Sequence, residues 1–217
     1  MAIIKRTETS NTTWGEIQEI INDGKQAELL KPGTEIITDL KDGSKGIIAV
    51  AAVDHYEKGE VIFVFRRTVG HDHEMNEEWT NKGAWPECDM REYLNNDVLA
   101  LLPDDLVAVL SKKKTVQIQN GERVECEDVL FLPSEYEVHG KEIYATYNGE
   151  DKQFPFYEER VNRIVVDEDG DTTSWWLASP CASYTTNFCL VSSDGVASSY
   201  YASASLGVAP GFVIRKS

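Results

Sequence analysis

The chain has 217 residues, of which 41% are hydrophobic and 10% aromatic, and this length and composition predict one globular unit with a buried core. Its formal net charge of −16 at pH 7 argues against nucleic acid as a partner, because phosphate binding needs a cationic face. No apolar run reaches the roughly 18 residues of a spanning helix, and residues 1–6 lack the apolar core of a signal peptide, which predicts cytoplasmic synthesis and no membrane partner.

The first third of the chain predicts one helix and three strands. Residues 13–16 read Thr-Trp-Gly-Glu, a capping-box pattern, and Ile17, Ile20 and Ile21 follow at helical spacing before a stop at Gly24. After a Pro-Gly turn, strands are predicted at residues 35–38, 46–53 and 61–65. The last two are nearly continuous apolar runs, which predicts strands covered on both faces.

A second helix and three hairpins are predicted in the remainder. The helix spans residues 90–99, with Asp89 as its N-cap, Glu92 at the third position and Pro103 beyond its end. Asn-Gly and Asp-Gly pairs supply the positive φ angles that tight hairpins need. Asn120-Gly121 is flanked by residues 116–119 and 122–124. Asp169-Gly170 is flanked by residues 163–166 and 172–177, and Asp194-Gly195 by residues 188–191 and Val196. Two early helices and late hairpins predict an α+β domain of short strands.

Residues 181–210 have a composition unlike the rest of the chain. They contain one charged residue, Asp194, and no Glu, Lys, Gln, Met or Trp, whereas Ser, Tyr, Thr and Ala are abundant. This composition is typical of antigen-binding loops, in which Tyr gives rigid contact area and Ser and Asn give adaptable hydrogen bonds. A polar loop or a solvated sheet face is the alternative. Every residue type in the window can also be encoded by an Asn codon, AAC or AAT, in which only adenines are changed.

The flanks of this window carry a family resemblance. Residues 175–180 read W-W-L-A-S-P, and residues 207–214 read G-V-A-P-G-F-V-I. The pattern resembles a bacterial and prophage domain family that ends in W-W-L-R-S-P, a hairpin and G-V-R-P-A-F. It also resembles the variable proteins of diversity-generating retroelements. Ala178 and Ala209 stand where the family often has Arg, and Gly211 replaces Ala. Gly-Thr-Glu-Ile at residues 33–36 and Arg-Glu-Tyr-Leu-Asn at residues 91–95 extend the resemblance more weakly.

The resemblance implies a C-type-lectin-like fold, related to that of sulfatase-modifying factors, over residues 33–217. Residues 1–32 add little to the resemblance and are predicted to be an N-terminal helical segment. It implies that residues 175–177 and 208–214 are scaffold strands and that a region of about residues 181–206 is variable. The predicted ligand-binding surface is Tyr184, Thr185, Thr186, Asn187, Ser192, Ser193, Ser198, Ser199, Tyr200, Tyr201, Ser203, Ser205 and Leu206. Trp175 and Trp176 are predicted to be core, with one of them beneath the binding surface as the alternative. Tyr200 and Tyr201 lie among small residues and are predicted to be exposed.

Two acidic stretches are candidate metal sites, but neither is complete. His71-Asp72-His73-Glu74 offers an H-x-H pair without the further ligands that zinc requires, so an exposed loop is predicted. Residues 167–171 have the carboxylate density of a calcium loop but lack its register and distal Glu, so an acidic hairpin turn is predicted. The Glu-Pro-Asn and Trp-Asn-Asp tripeptides of calcium-dependent lectins do not occur. The sequence therefore predicts no metal ligand.

No catalytic pattern is recognisable either. The cysteines show no C-x-x-C spacing and are predicted to be buried or incidental thiols; they are Cys88, Cys126, Cys181 and Cys189. His139 has no nucleophile partner in the sequence. The basic run at residues 112–114, three lysines, is predicted to be a solvated turn.

The sequence thus predicts a ligand-binding display protein without a cofactor, and not an enzyme. Its predicted partner is a protein or other receptor on a bacterial or phage surface. The resemblance implies a prophage or gut-bacterial origin, with the phage virion as one destination. Two alternatives stay open: a non-diversified structural or adhesive module of a phage particle or cell surface, and an enzyme of the sulfatase-modifying fold group. Phage receptor binders are often trimeric, so a homo-oligomer also stays open.

Overall fold

The structure is a computed structural model that describes residues 12–217, so the first eleven residues of the predicted N-terminal segment lie outside the described residues. The helices are α1 (Trp14–Asn22), α2 (Gln26–Leu29), α3 (Asp89–Tyr93), α4 (Leu99–Leu101), α5 (Asp104–Val107) and α6 (Glu135–His139). The strands are β1 (Glu35–Asp39), β2 (Lys45–Val53), β3 (Glu60–Phe65), β4 (Lys113–Gln119), β5 (Glu122–Asp128), β6 (Leu130–Phe131), β7 (Val165–Val166), β8 (Thr172–Thr173), β9 (Trp175–Pro180), β10 (Asn187–Val191), β11 (Ala197–Tyr201) and β12 (Gly211–Arg215). The predicted α+β class is confirmed.

The largest sheet has five strands in the order β1-β2-β3-β12-β6, all antiparallel. All six residues of β3 are buried, and β2 is buried over most of its length, so the prediction of strands covered on both faces is confirmed. The C-terminal strand β12 lies between β3 and β6. Among residues 12–217, no helix combines the length and apolar character needed to cross a bilayer.

Helix α1 covers one face of this sheet. The predicted capping box is present, because Thr13 Oγ1 accepts from the Glu16 amide and the Glu16 carboxylate accepts from the Thr13 amide. The helix buries Trp14 against two rings of the sheet, with centroids 5.6 Å from Phe63 and 5.5 Å from Phe212. Such edge-to-face pairs contribute about 0.5–1.5 kcal/mol beyond the area that they bury. The described part of the N-terminal segment therefore shares the core of the sheet.

The second predicted helix differs from the prediction at both ends. Asp89 is its first helical residue and not its N-cap; its Oδ2 accepts from the Glu77 amide at 2.7 Å, so the carboxylate serves a neighbouring loop. The helix widens into a π-turn at Leu94–Val98 and resumes as α4, ending at Leu101. A widened turn of this kind leaves no signature in the spacing of apolar residues.

Asn95 lies in this widened turn and ties it to the start of β6. Its Nδ2 donates to the Arg91 and Leu130 carbonyls, both at 3.0 Å, and its Oδ1 accepts from the Val129 and Leu130 amides at 3.2 and 3.0 Å. All four hydrogen-bonding positions of the amide are used. The Asn of the Arg-Glu-Tyr-Leu-Asn motif is therefore a structural clamp.

The three hairpin turns are confirmed, with one change in strand extent. Asn120 and Gly121 both have positive φ, at 52° and 81°, as a tight β4–β5 turn requires. The second hairpin is only β7 with β8, because the predicted strand at residues 172–177 divides at Ser174. Its second half is β9, which joins β10 and β11 in a separate sheet of order β11-β10-β9.

The lysine run is not a solvated turn, so that prediction is wrong. Strand β4 begins at Lys113, and strand alternation turns this side chain inward between two outward lysines. Its Nζ lies 2.9 Å from the buried Glu137 Oε1, and Tyr56 donates to the same oxygen at 2.8 Å. The charge is compatible with burial because a carboxylate and two aromatic faces surround it.

Candidate functional site

The window of unusual composition forms the central strand β10 and the edge strand β11 of the sheet β11-β10-β9. Strand β11 carries Ser198 to Tyr201 and has a strand neighbour on one side only among the described residues. The β10–β11 turn is held by Asp194, which accepts from Ser192 Oγ and from Arg160 Nη2, both at 2.6 Å. The Ser192 hydrogen bond and the Arg160 charge lower the pKa of Asp194. The one charged residue of the window therefore fixes a turn.

The residues predicted to bind ligand are all exposed or half-buried. This holds for Tyr184, Thr185, Thr186, Asn187, Ser192, Ser193, Ser198, Ser199, Tyr200, Tyr201, Ser203, Ser205 and Leu206. Tyr184, Tyr200 and Tyr201 are 60%, 52% and 46% exposed. Tyr184 and Tyr201 lie at the same end of the sheet, because Asn187 pairs with Tyr201 and its amide donates to the Tyr184 carbonyl.

Trp79 belongs to the same surface and was not predicted from the sequence. Its ring stacks on Tyr201, with centroids 5.3 Å apart and planes at 19°, and Tyr200 meets Tyr201 edge-on at 5.5 Å. Trp79 is 67% exposed, whereas the other four tryptophans are buried. We call Trp79, Tyr184, Tyr200 and Tyr201 the aromatic surface. A lone Trp in a loop, more than a hundred residues before its stacking partner, gives no pattern that links the two.

A buried amide holds the turn that carries Tyr184. Asn81 Nδ2 donates to the carbonyls of Cys181, Tyr184 and Asn187 at 3.0, 3.1 and 2.9 Å. The Asn81 backbone amide donates to Thr185 at 2.8 Å. A single side chain thus fixes residues 181–187 beside the loop of Trp79, because Asn81 follows Trp79 by two residues.

A buried carboxylate supports the same turn from the other side. Glu135 is 2% exposed and accepts from the amides of Ile143, Tyr144 and Ala145 at 3.0 Å. The Tyr144 carbonyl then accepts from the Ala182 amide at 2.8 Å. The turn that carries Tyr184 is therefore formed by backbone whose hydrogen bonds are satisfied from both sides.

The scaffold positions next to this surface are buried. Trp175 and Trp176 are fully buried, and their indole nitrogens donate to the Arg163 and His73 carbonyls, each at 2.9 Å. The prediction that both are core is confirmed. Val208 to Ile214 are buried as well. Between these flanks lies the display segment, which we define as residues 181–206; its turns and β11 are exposed or half-buried for the most part, and Phe188 to Val191 of β10 are buried.

The His71–Glu74 stretch runs beside the display segment. His73 and Leu206 exchange backbone hydrogen bonds at 3.0 and 3.2 Å, and Ser205 donates to Glu74 at 3.3 Å. The His73 ring stacks on Tyr93 at 4.1 Å. Within residues 12–217, no group of three or more His, Cys, Asp or Glu side chains is arranged to hold a metal ion.

An open groove next to this stretch is lined by carboxylates. We call it the acidic groove; it comprises Glu74, Glu77, Asp89, Glu92 and Asp97, together with His73, Tyr93 and Asn96. None of the five carboxylates takes part in an ion pair within the described part of the chain.

The other candidates for chemistry have structural roles. In the acidic turn, Asp167 Oδ1 accepts from the Asp169 and Asp171 amides at 3.0 and 2.9 Å, so this carboxylate closes the hairpin. All four cysteines are free. Burial raises the pKa of the Cys88 and Cys126 thiols to about 12.

Burial also sets the protonation of Cys189, the second cysteine of the window, and of His139. Burial and the nearby Glu135 raise the pKa of the Cys189 thiol well above its usual value, which keeps it protonated at neutral pH. Burial and the Arg163 guanidinium lower the pKa of His139 to about 4, so its ring is neutral. His139 Nδ1 lies 3.2 Å from Arg163 Nη1, and this contact keeps the ring in a structural role.

The chain belongs to the DUF6273 family, described as a domain of unknown function, whose model matches residues 59–216. The match extends from the start of β3 through β12 and contains the aromatic surface and the acidic groove. Comparisons with curated proteins and with solved structures gave no match.

Proposed function

We propose that this protein is a variable ligand-binding protein of a diversity-generating retroelement, in which residues 181–206 are diversified on a C-type-lectin-like scaffold. One observation carries the proposal. Within some forty residues, the family-like flanks are buried, and the thirteen residues predicted to bind ligand are all exposed or half-buried, whereas the core of β10 between them is buried. Diversification at exposed positions alters the binding surface and leaves the core unchanged.

The chemistry of the surface supports recognition. Exposed Tyr and Trp side chains are among the residues that most often dominate binding energy. Here Trp79, Tyr200 and Tyr201 are in ring contact, and Tyr184 is exposed at the same end of the sheet. The turn beneath them is anchored by Asn81 and Glu135, which lowers the ordering entropy that binding must overcome. The lectin-like fold is part of the proposal, and small antiparallel sheets with few helices agree with it.

The decisive experiment is to sequence the gene and its neighbourhood. We expect codons ending in C or T at Ser192 and at the serines among residues 198–205, where TCA and TCG are the other possibilities. The codons of Tyr184, Tyr200 and Tyr201 fit the pattern in any case, because Tyr is encoded only by TAC and TAT. We also expect a near-copy of this segment carrying AAC or AAT at many of these positions, close to a reverse transcriptase gene. Serine codons of the TCA or TCG type throughout, with no near-copy, would refute diversification.

One alternative shares the same surface. A non-diversified adhesive module of a phage particle or cell surface would use the same exposed rings, and the gene neighbourhood distinguishes the two. An enzyme of the sulfatase-modifying group would need a reactive cysteine, which fits poorly with a Cys189 thiol that is buried and protonated.

A further inference from the structure

The acidic groove continues the aromatic surface along one side of the molecule. Ser205 of the display segment donates to Glu74 in the groove, and Glu77 in the groove precedes Trp79 by two residues. Residues 72–97 contain eight acidic residues and two basic ones. One of the two, Arg91, is paired with Asp128, which leaves Lys82 as the other. Stacked exposed rings therefore border a groove of strongly negative charge.

We propose that the aromatic surface and the acidic groove together bind a partner polypeptide through its cationic side chains, Arg in particular. The inference rests on the proposed function and names the chemistry of its partner. A guanidinium stacks on Trp and Tyr faces and pairs with carboxylates in a bidentate manner. The stacked rings of Trp79 and Tyr201 and the groove carboxylates offer both interactions side by side.

Charge complementarity selects this partner over an acidic or an apolar one. The five carboxylates, which have no ion-pair partner among residues 12–217, would lose hydration beneath a neutral or acidic segment without gaining an opposite charge. Their arrangement also favours a chain over a single ion. They line an open groove, and no three acidic, His or Cys side chains of the described residues converge as a metal site does. A cationic segment would in addition be steered toward the surface at long range.

Tryptophan fluorescence tests the proposal in the full chain. Trp79 is the one exposed tryptophan of five, so surface quenching and spectral shifts report on this site. The probe is a synthetic Gly/Ser peptide carrying several Arg residues, with Glu-bearing and uncharged peptides of the same length for comparison. At physiological salt we expect a saturable change with the Arg peptide alone.

Matched charge variants separate a specific site from general attraction to an acidic protein. We expect the triple variant Glu74→Gln, Glu77→Gln, Glu92→Gln to weaken binding about tenfold, because each exposed ion pair contributes modestly. The control triple variant Glu122→Gln, Glu127→Gln, Glu142→Gln changes net charge equally at exposed positions outside the groove. Screening should limit its effect to about twofold. Calorimetry should show that the single variant Trp79→Ala binds the Arg peptide about threefold or more weakly than the natural chain does.

Three results would overturn the inference: equal weakening by both triple variants, no saturable change with the Arg peptide, or equal binding of the Glu peptide. Any of these, found together with the expected codons and near-copy in the gene, would leave the display function standing and assign it a partner of different chemistry. Selective binding of the Arg peptide, found without the expected codons and near-copy, would support the cationic partner and refute diversification.

Discussion

At the scale of single residues, Asn81 links the two halves of the aromatic surface. Its amide satisfies three carbonyls of the turn that carries Tyr184, and it lies two residues after Trp79. Replacement by the isosteric Asp keeps the shape but removes the donors. The carbonyls would then face a carboxylate inside the protein.

We expect Asn81→Asp to lower the free energy of unfolding by about 3 kcal/mol, because buried acceptors lose their partner and a charge is buried. Urea denaturation measures the change. Lys82→Ala, an exposed neighbour, should stay within about 0.5 kcal/mol. Equal stability of the two variants would show that the turn does not depend on Asn81.

His139 and Asp151 titrate in the same pH window with opposite effects on the stability of the fold. Burial and the Arg163 guanidinium lower the pKa of His139 to about 4, from 6.5. Burial and the nearby Glu137 carboxylate raise the pKa of Asp151 to about 6, from 3.8. Between these values the unfolded chain binds more protons at His139 and fewer at Asp151 than the folded protein does. Acidification therefore destabilises the fold through His139 and stabilises it through Asp151.

The two effects can be separated by substitution. His139→Asn retains an acceptor for Arg163 but cannot titrate, so its stability should fall less on acidification from pH 6.5 to pH 4 than that of the natural chain. The stability of Asp151→Asn should fall more steeply between pH 6 and pH 4 than that of the natural chain. Denaturant midpoints across this range provide the measurement. Parallel profiles for all three proteins would contradict both assignments.

At the scale of elements, the edge strand β11 should tolerate change that the central strands do not. We expect Tyr200→Ala to alter stability by about 0.5 kcal/mol or less. Tyr201→Ala should cost about 1 kcal/mol, because it also loses the Trp79 stack. Trp176→Ala or Phe212→Ala should cost about 3–5 kcal/mol. Thermal melts rank the four variants, and a tyrosine loss as large as the tryptophan loss would place the display segment in the core.

The widened turn between α3 and α4 gives a matched pair of neighbours. Asn95 uses every hydrogen-bonding position of its amide, whereas Asn96 is exposed. We therefore expect Asn95→Ala to lower the free energy of unfolding by about 2–3 kcal/mol and Asn96→Ala to lower it by less than about 0.5 kcal/mol. Chemical denaturation of both proteins measures the difference, and similar midpoints would contradict the structural role of Asn95.

The sequence predicted those elements whose signals are local. The apolar runs of β2 and β3, the capping box at Thr13 and the Asn-Gly and Asp-Gly turns all act within a few residues. What was missed depends on distant partners. Lys113 is buried because of Glu137, the helix after Asp89 widens where Asn95 meets β6, and Trp79 joins the site through Tyr201. The exposure of the residues predicted to bind ligand followed from composition, but the role of Asn81 in holding their turn could not be predicted.

At the scale of the whole molecule, stability should not depend on metal. The carboxylate of Asp167 already serves the backbone of its own turn. Chelator should leave the melting temperature unchanged, and added calcium should not raise it. A calcium-dependent rise of several degrees would mean that the ion binds the native state, because stabilisation follows the ratio of free ligand to Kd. Asp167, Asp169 and Asp171 would then be the first ligands to test.

The position of β12 between β3 and β6 also sets an order of events during synthesis on the ribosome. Strand β3 is translated well over a hundred residues before the strand that pairs with its open edge. At elongation rates of about 5–20 residues per second this interval is roughly 7–30 s. The display segment emerges within that interval, beside a hydrophobic strand that still lacks its neighbour. If residues 181–206 are diversified as we propose, variants rich in apolar residues would misassociate at this stage, which favours a repertoire of small polar residues and Tyr.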